Sequence, residues 1–172
     1  MHVYLIHGPN DVEIQTERMR LIDQLLPVDQ RDENLTEFAS SGNRALTLSN
    51  LLPDLLAEMG TVSFFPGARR VAIVHQLSDF WSSAKDSTAK PVAKSKKGAG
   101  KPLDVTERLI KYLETDFESA ENAVIFTVHE NPDKRIVVDG RKKIVQWIKE
   151  HGKVRSFEAA RPSAWVLGDA IL

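Results

Sequence analysis

Three short runs, HVYLIH (2–7), RRVAIVH (69–75) and NAVIFTVH (122–129), are apolar almost without interruption. A strand on a half-exposed sheet alternates apolar with polar residues, so runs like these need cover on both faces. Gly8-Pro9-Asn10 closes the first run, as turn residues do at a strand exit. Between the runs the spacing turns helical. Ile14, Arg18, Leu21, Ile22, Leu25 and Leu26 follow a cap at Asn10 or Asp11 and end at Pro27. NRALTLSNLLPDLLAEMG (43–60) has a leucine face, and its Pro53 predicts a kink or a restart near Asn50. LDVTERLIKYLETDF (103–117) predicts a helix capped near Asp104. DGRKKIVQWIKEHG (139–152) predicts another, with Ile144, Val145, Trp147 and Ile148 inward and Gly152 as its stop. NLTEFA (34–39) and KVRSFEA (153–159) complete a set of five strands, and PSAWVLGDAIL (162–172) starts a further helix at Pro162. The alternation predicts a three-layer α/β fold around a mostly parallel five-stranded sheet.

The 172 residues make one domain with enough chain for a real core. There is no cysteine, which excludes disulfides and thiolate metal sites. No apolar run is long enough for a signal peptide or a membrane span, so the expected location is the cytoplasm, without a membrane partner. Residues 82–102 hold 6 Lys, 1 Asp and no aromatic residue. Such a stretch cannot offset its ordering entropy and is expected to be a flexible insert within the domain. The net charge of −1 hides a polarity. Residues 1–60 hold 4 Lys/Arg against 10 Asp/Glu, and residues 61–172 hold 19 against 14. That permits a basic face without a basic protein.

The turn after the first strand is where a phosphate loop would sit. Its sequence, GPNDVEIQ, lacks the second glycine, the lysine and the Ser/Thr that such a loop needs. Asp11 and Glu13 would repel an anion there. The chain therefore has the shape of a nucleotide-binding fold without the nucleotide site, and no cofactor is expected. His7, His75 and His129 end three strands, on the sheet edge where ligands collect. Imidazoles there open the possibility of a metal or anion site, and unrelated surface histidines are the plainer alternative. No nucleophile or metal-hydrolase motif is present, so no catalytic residue is assigned. Lys134, Arg135, Arg141, Lys142, Lys143, Lys149, Lys153 and Arg155 give residues 131–155 an excess of positive charge. These cations are either a solvated face or a contact for DNA or an acidic partner.

EMGTVSFFPGARRVAIVH (58–75) places Phe64 and Phe65 in a connection just before Pro66-Gly67. Consecutive residues of extended chain point opposite ways, so both rings cannot easily face one core. Val62 and Phe64 share a side and Phe65 lies opposite. A lid over the core and a plug for another protein's groove are equally compatible with this pattern.

Taken together, the YLIHG strand, the aromatic pair leading into RRVAIV, the strand AVIFTV, and NPDKR before a lysine-rich helix and a strand resemble one family. It is the delta subunit of the bacterial DNA polymerase III clamp loader, and the resemblance is to its amino-terminal domain, from YLIHGPNDVEI to KVRSFEAARPSAW. The resemblance implies an AAA+-like fold with P-loop-NTPase-like topology, no functional P-loop and no ATPase activity. It implies that Val62, Phe64 and Phe65 bind the sliding clamp and help to open it in DNA replication. Other loader subunits and, through the assembled complex, DNA are the further partners it implies. The insert at 82–102 departs from the family pattern, and the family's helical lid and collar domains have no counterpart in this sequence. The chain is thus expected to be either a truncated domain or a short natural relative. The alternative is a small α/β enzyme or a nucleotide- or metal-binding protein with a degenerate P-loop fold.

Overall fold

β1 (His2–Gly8) shows why both faces of the sheet must be covered. Its pleat sends Val3 and Leu5 into one hydrophobic core and Tyr4 and Ile6 into another. The computed structural model describes residues 2–39, 48–61, 69–80, 105–115, 121–131, 133 and 136–159. Within them the chain forms α1 (Asp11–Leu25), α2 (Arg31–Asn34), β2 (Leu35–Phe38), α3 (Leu48–Gly60), β3 (Val71–Val74), α4 (Val105–Thr115), β4 (Ala123–His129), α5 (Lys143–His151) and β5 (Lys153–Ser156). The sheet order is β2-β3-β4-β1-β5, and every neighbouring pair is parallel.

The period-two rule sorts the central strands between the two cores. Ala72, Val74, Val124, Phe126 and Val128 join Val3 and Leu5 against α3, α4 and α5. Val71, Ile73, Ala123 and Ile125 join Tyr4 and Ile6 against α1, which contributes Ile14, Leu21, Ile22 and Leu25. The result is the three-layer α/β architecture expected from the sequence. Phe126 is fully buried at its centre, and truncating such a side chain to alanine costs about 3–5 kcal/mol.

The boundaries follow local chemistry. Asn10 caps α1, its Oδ1 accepting from the Glu13 amide at 3.3 Å. α3 begins at Leu48, close to the restart expected near Asn50, and passes through Pro53; residues 43–47 lie outside the described residues. α5 begins at Lys143, later than the expected 139, because Asp139 forms a turn. The Asp139 Oδ1 accepts from the Arg141 amide, and its carbonyl accepts from the Lys142 amide. Ile144, Val145, Trp147 and Ile148 face inward as predicted. Gly152 ends α5, but in extended backbone, not the left-handed form. A Cβ there would stand 2.6 Å from the Val3 carbonyl oxygen, so close approach explains the glycine. β5 stops at Ser156, short of the expected 159. The insert at 82–102 and the helix expected at 162–172 lie outside the described residues.

Candidate functional site

A parallel sheet has an amino edge and a carboxyl edge, and the candidate residues divide between them. α3 ends and β3 begins at the amino edge. The connection 62–68, with Val62, Phe64 and Phe65, lies outside the described residues, but both of its ends are described. One side chain ties them. The buried Asn122 accepts from the Arg70 amide through Oδ1 at 2.9 Å and donates from Nδ2 to the Met59 carbonyl at 2.8 Å. Arg70 also forms an ion pair with Glu58 of α3, and its carbonyl accepts from the Ala123 amide at 2.8 Å. Met59 is buried in the core below. The two described ends of the connection are therefore fixed to each other by buried hydrogen bonds. Sequence reasoning missed Asn122, whose partners lie 52 and 63 residues away.

At the carboxyl edge the helices after β1 and β4 go to opposite faces, α1 to one and α5 to the other. That makes the gap between β1 and β4 the switch point where ligands bind in open α/β sheets. Along this edge the chain sets its own histidine–carboxylate hydrogen bonds, two of them at the gap and one beside it at the ends of β2 and β3. The His7 Nδ1 lies 3.0 Å from the Glu130 Oε1, which also accepts from the Val138 amide. The His129 Nδ1 lies 2.8 Å from the Asp11 Oδ1. The His75 Nε2 lies 2.8 Å from the Glu37 Oε2, with the Arg18 guanidinium beside the ring. Because a carboxylate only accepts, the facing ring nitrogen carries the proton in each pair. The strand pleat sends His7 to the α5 face and His75 and His129 to the α1 face, so the three do not converge. Among the described residues no group of three or more His, Asp or Glu could hold a metal ion.

Two backbone features close this edge further. Gly8 has φ +145°, and a Cβ there would stand 2.0 Å from the Phe157 carbonyl oxygen. Gln76, with φ 51°, accepts from the His129 amide and donates to the His129 carbonyl, strapping β4 to the end of β3.

Among the described residues the basic side chains divide between the start of α5 and the edge strand β5. Lys134 and Arg135 lie outside the described residues, although Asn131 and Ile136 on either side exchange two backbone hydrogen bonds. Arg141 is held by Asp139, and that bond keeps the Asp139 carboxyl below its ordinary range. Lys142 occupies the N-cap of α5 without a side-chain cap bond. Lys143 donates to Glu107 of α4. Lys153 and Arg155 lie elsewhere, on edge strand β5 beside α1. No helix among the described residues is long and apolar enough to cross a membrane.

No protein-family model matches the chain, and no curated protein matches it. Solved structures do. The DNA clamp loader delta protein of Bacillus subtilis matches 92% of this chain and 38% of its own, with TM-score 0.60 and 18% identity. A DNA polymerase III gamma subunit-related protein of Thermotoga maritima matches 95% of this chain and 43% of its own, with TM-score 0.47 and 11% identity. The chain spans 38% of the length of the delta protein. The similarity to the Bacillus subtilis delta protein establishes a shared fold, a five-stranded parallel three-layer α/β domain.

Proposed function

We propose that this chain is a clamp-loader delta-type domain that binds a DNA polymerase sliding clamp and helps to open it in DNA replication. The observation that carries this reading is the aromatic pair Phe64-Phe65, set in a connection whose two ends are locked by one buried carboxamide. Fixed ends reduce the ordering entropy that a binding loop must give up, which favours affinity. The fold of the Bacillus subtilis DNA clamp loader delta protein supports the same reading.

The mechanism is a difference in affinity for two clamp states. A partner shifts the ring toward its open form only by binding that form better. Buried aromatic anchors contribute about 2 kcal/mol or more each. Two anchors engaged only in the open form, about 4 kcal/mol together, shift the equilibrium nearly a thousandfold. The domain itself hydrolyses no nucleotide in this account. Its switch-point gap holds Asp11 and Glu130, each engaged with a histidine, and Asp11 stands where a phosphate would need a cation. Other loader subunits and DNA enter as partners of the assembled complex, with Lys134, Arg135, Arg141, Lys142 and Lys143 as the candidate contacts. A pull-down with a bacterial sliding clamp tests the assignment. The Phe64→Ala, Phe65→Ala double variant is expected to lose capture, and capture equal to wild type rejects the assigned plug.

A further inference from the structure

On the face covered by α1, that helix and the edge strand β5 enclose a cleft of about 150 Å³. Tyr4 forms one wall; Glu17, Arg20 and Gln24 come from α1, and Lys153 and Arg155 from β5. The one acid is already neutralised. Arg20 donates to Glu17 from both Nε and Nη2, at 2.7 and 2.5 Å. This bond, more than the charges of Arg20 and Arg155, holds the Glu17 carboxyl below its ordinary value against the opposing effect of burial. Arg155 is only loosely engaged, its Nε 3.7 Å from Glu17 and its side chain 64% exposed. The Lys153 ammonium lies 5.9 Å from the centre of the Tyr4 ring. Two positive charges are thus left over beside an open cleft. The other polar groups, the Tyr4 hydroxyl and the Gln24 amide, can both donate.

We infer that this cleft binds phosphate groups of a nucleic-acid backbone. Arginine forks and lysine ammonium groups are the ordinary partners of phosphate oxygens. Lys153 and Arg155 are two residues apart on a strand, about 6.6 Å along it, a step that suits neighbouring phosphates of an extended single strand. Glu17 gives the half-exposed Arg20 a fixed position at the cleft and, being paired, does not repel an anion. Tyr4 is 8% exposed beneath Lys153, so no aromatic face is open for base stacking. Contact is then with the backbone and independent of sequence.

Fluorescence anisotropy of a labelled single-stranded oligonucleotide, titrated with the 172-residue chain over a range of sodium chloride concentrations, tests this. Lys153→Gln with Arg155→Gln is expected to weaken binding at least tenfold at low salt. It is also expected to reduce the slope of log K against log salt by about 1.4, at about 0.7 per single-strand phosphate. Both side chains are exposed, so circular dichroism should show an unchanged fold. Cations on an edge strand also oppose strand-to-strand association. If that is their whole role, the variant self-associates while its oligonucleotide affinity and salt slope stay at wild-type values, which overturns the inference. Tighter binding of an oligoglutamate of equal charge overturns it in favour of an acidic protein. Inorganic phosphate shifting Tyr4 and Gln24 signals without oligonucleotide binding also overturns it. These outcomes are independent of the clamp, since the variant leaves Phe64 and Phe65 intact.

Discussion

Asn122 is a small side chain with a large structural task. Its carboxamide satisfies an amide of β3's approach and a carbonyl at the end of α3 at the same time. Asn122→Ala leaves both groups buried without a partner, at a cost of about 1–3 kcal/mol. Urea unfolding should show that loss, and Asn122→Asp should not rescue it, because a carboxylate would face the Met59 carbonyl. Glu17 sets a different expectation. Its folded carboxyl titrates below the ordinary 4.5, chiefly because Arg20 donates to it. The unfolded chain therefore takes the proton first as pH falls. The stability from this pair is complete above pH 4.5 and is lost as pH drops through the folded value. Glu17→Gln should flatten the acid side of the stability-pH curve below 4.5 and leave its neutral side with the same shape.

Among the elements, α5 lacks what a helix start usually has. Its N-cap is Lys142, and no acid lies in its first turn. Lys142→Asp should supply a side-chain cap acceptor and a favourable charge at the start of α5, worth about 1 kcal/mol. For a domain of this size that is a rise of about 2–4 °C in Tm, measurable by thermal unfolding. The β1–α1 turn predicts the opposite sign. Gly8→Ala would place a Cβ 2.0 Å from the Phe157 carbonyl oxygen at φ +145°, and a loss of more than about 2 kcal/mol is expected in urea unfolding. These elements also show what the sequence could reveal. β1, β3 and β4 were legible because strands covered on both faces become continuous apolar runs. α2 was not, because Arg31–Asn34 has no apolar periodicity and Asn34 is buried through a bond to the Gln30 carbonyl. Gly152 was legible as the stop of α5, but the contact that requires a glycine there was not, since it comes from Val3, a residue distant in sequence. The histidines at the strand ends were legible one by one. Their separate carboxylate partners and opposite faces were not, because pleat and pairing exist only in the assembled sheet.

For the whole molecule, the two edges of the sheet have different tasks. The carboxyl edge is closed by the pairs of His7, His75 and His129, by Gly8 against Phe157 and by the Gln76 strap. The amino edge holds the fixed ends of the connection that carries Val62, Phe64 and Phe65. Under the proposed function the amino edge is the contact surface and the carboxyl edge a structural joint. Thermal-shift scans with nucleotides and divalent metals should accordingly leave Tm unchanged, while a bound ligand would raise it. The most direct test of the central claim is calorimetric titration of a bacterial sliding clamp with the wild-type chain and with the Phe64→Ala, Phe65→Ala variant. Saturable binding by the wild type, weakened at least about thirtyfold in the variant, is the predicted result. Equal affinities for the two proteins, or no heat of binding from the wild type, would contradict it.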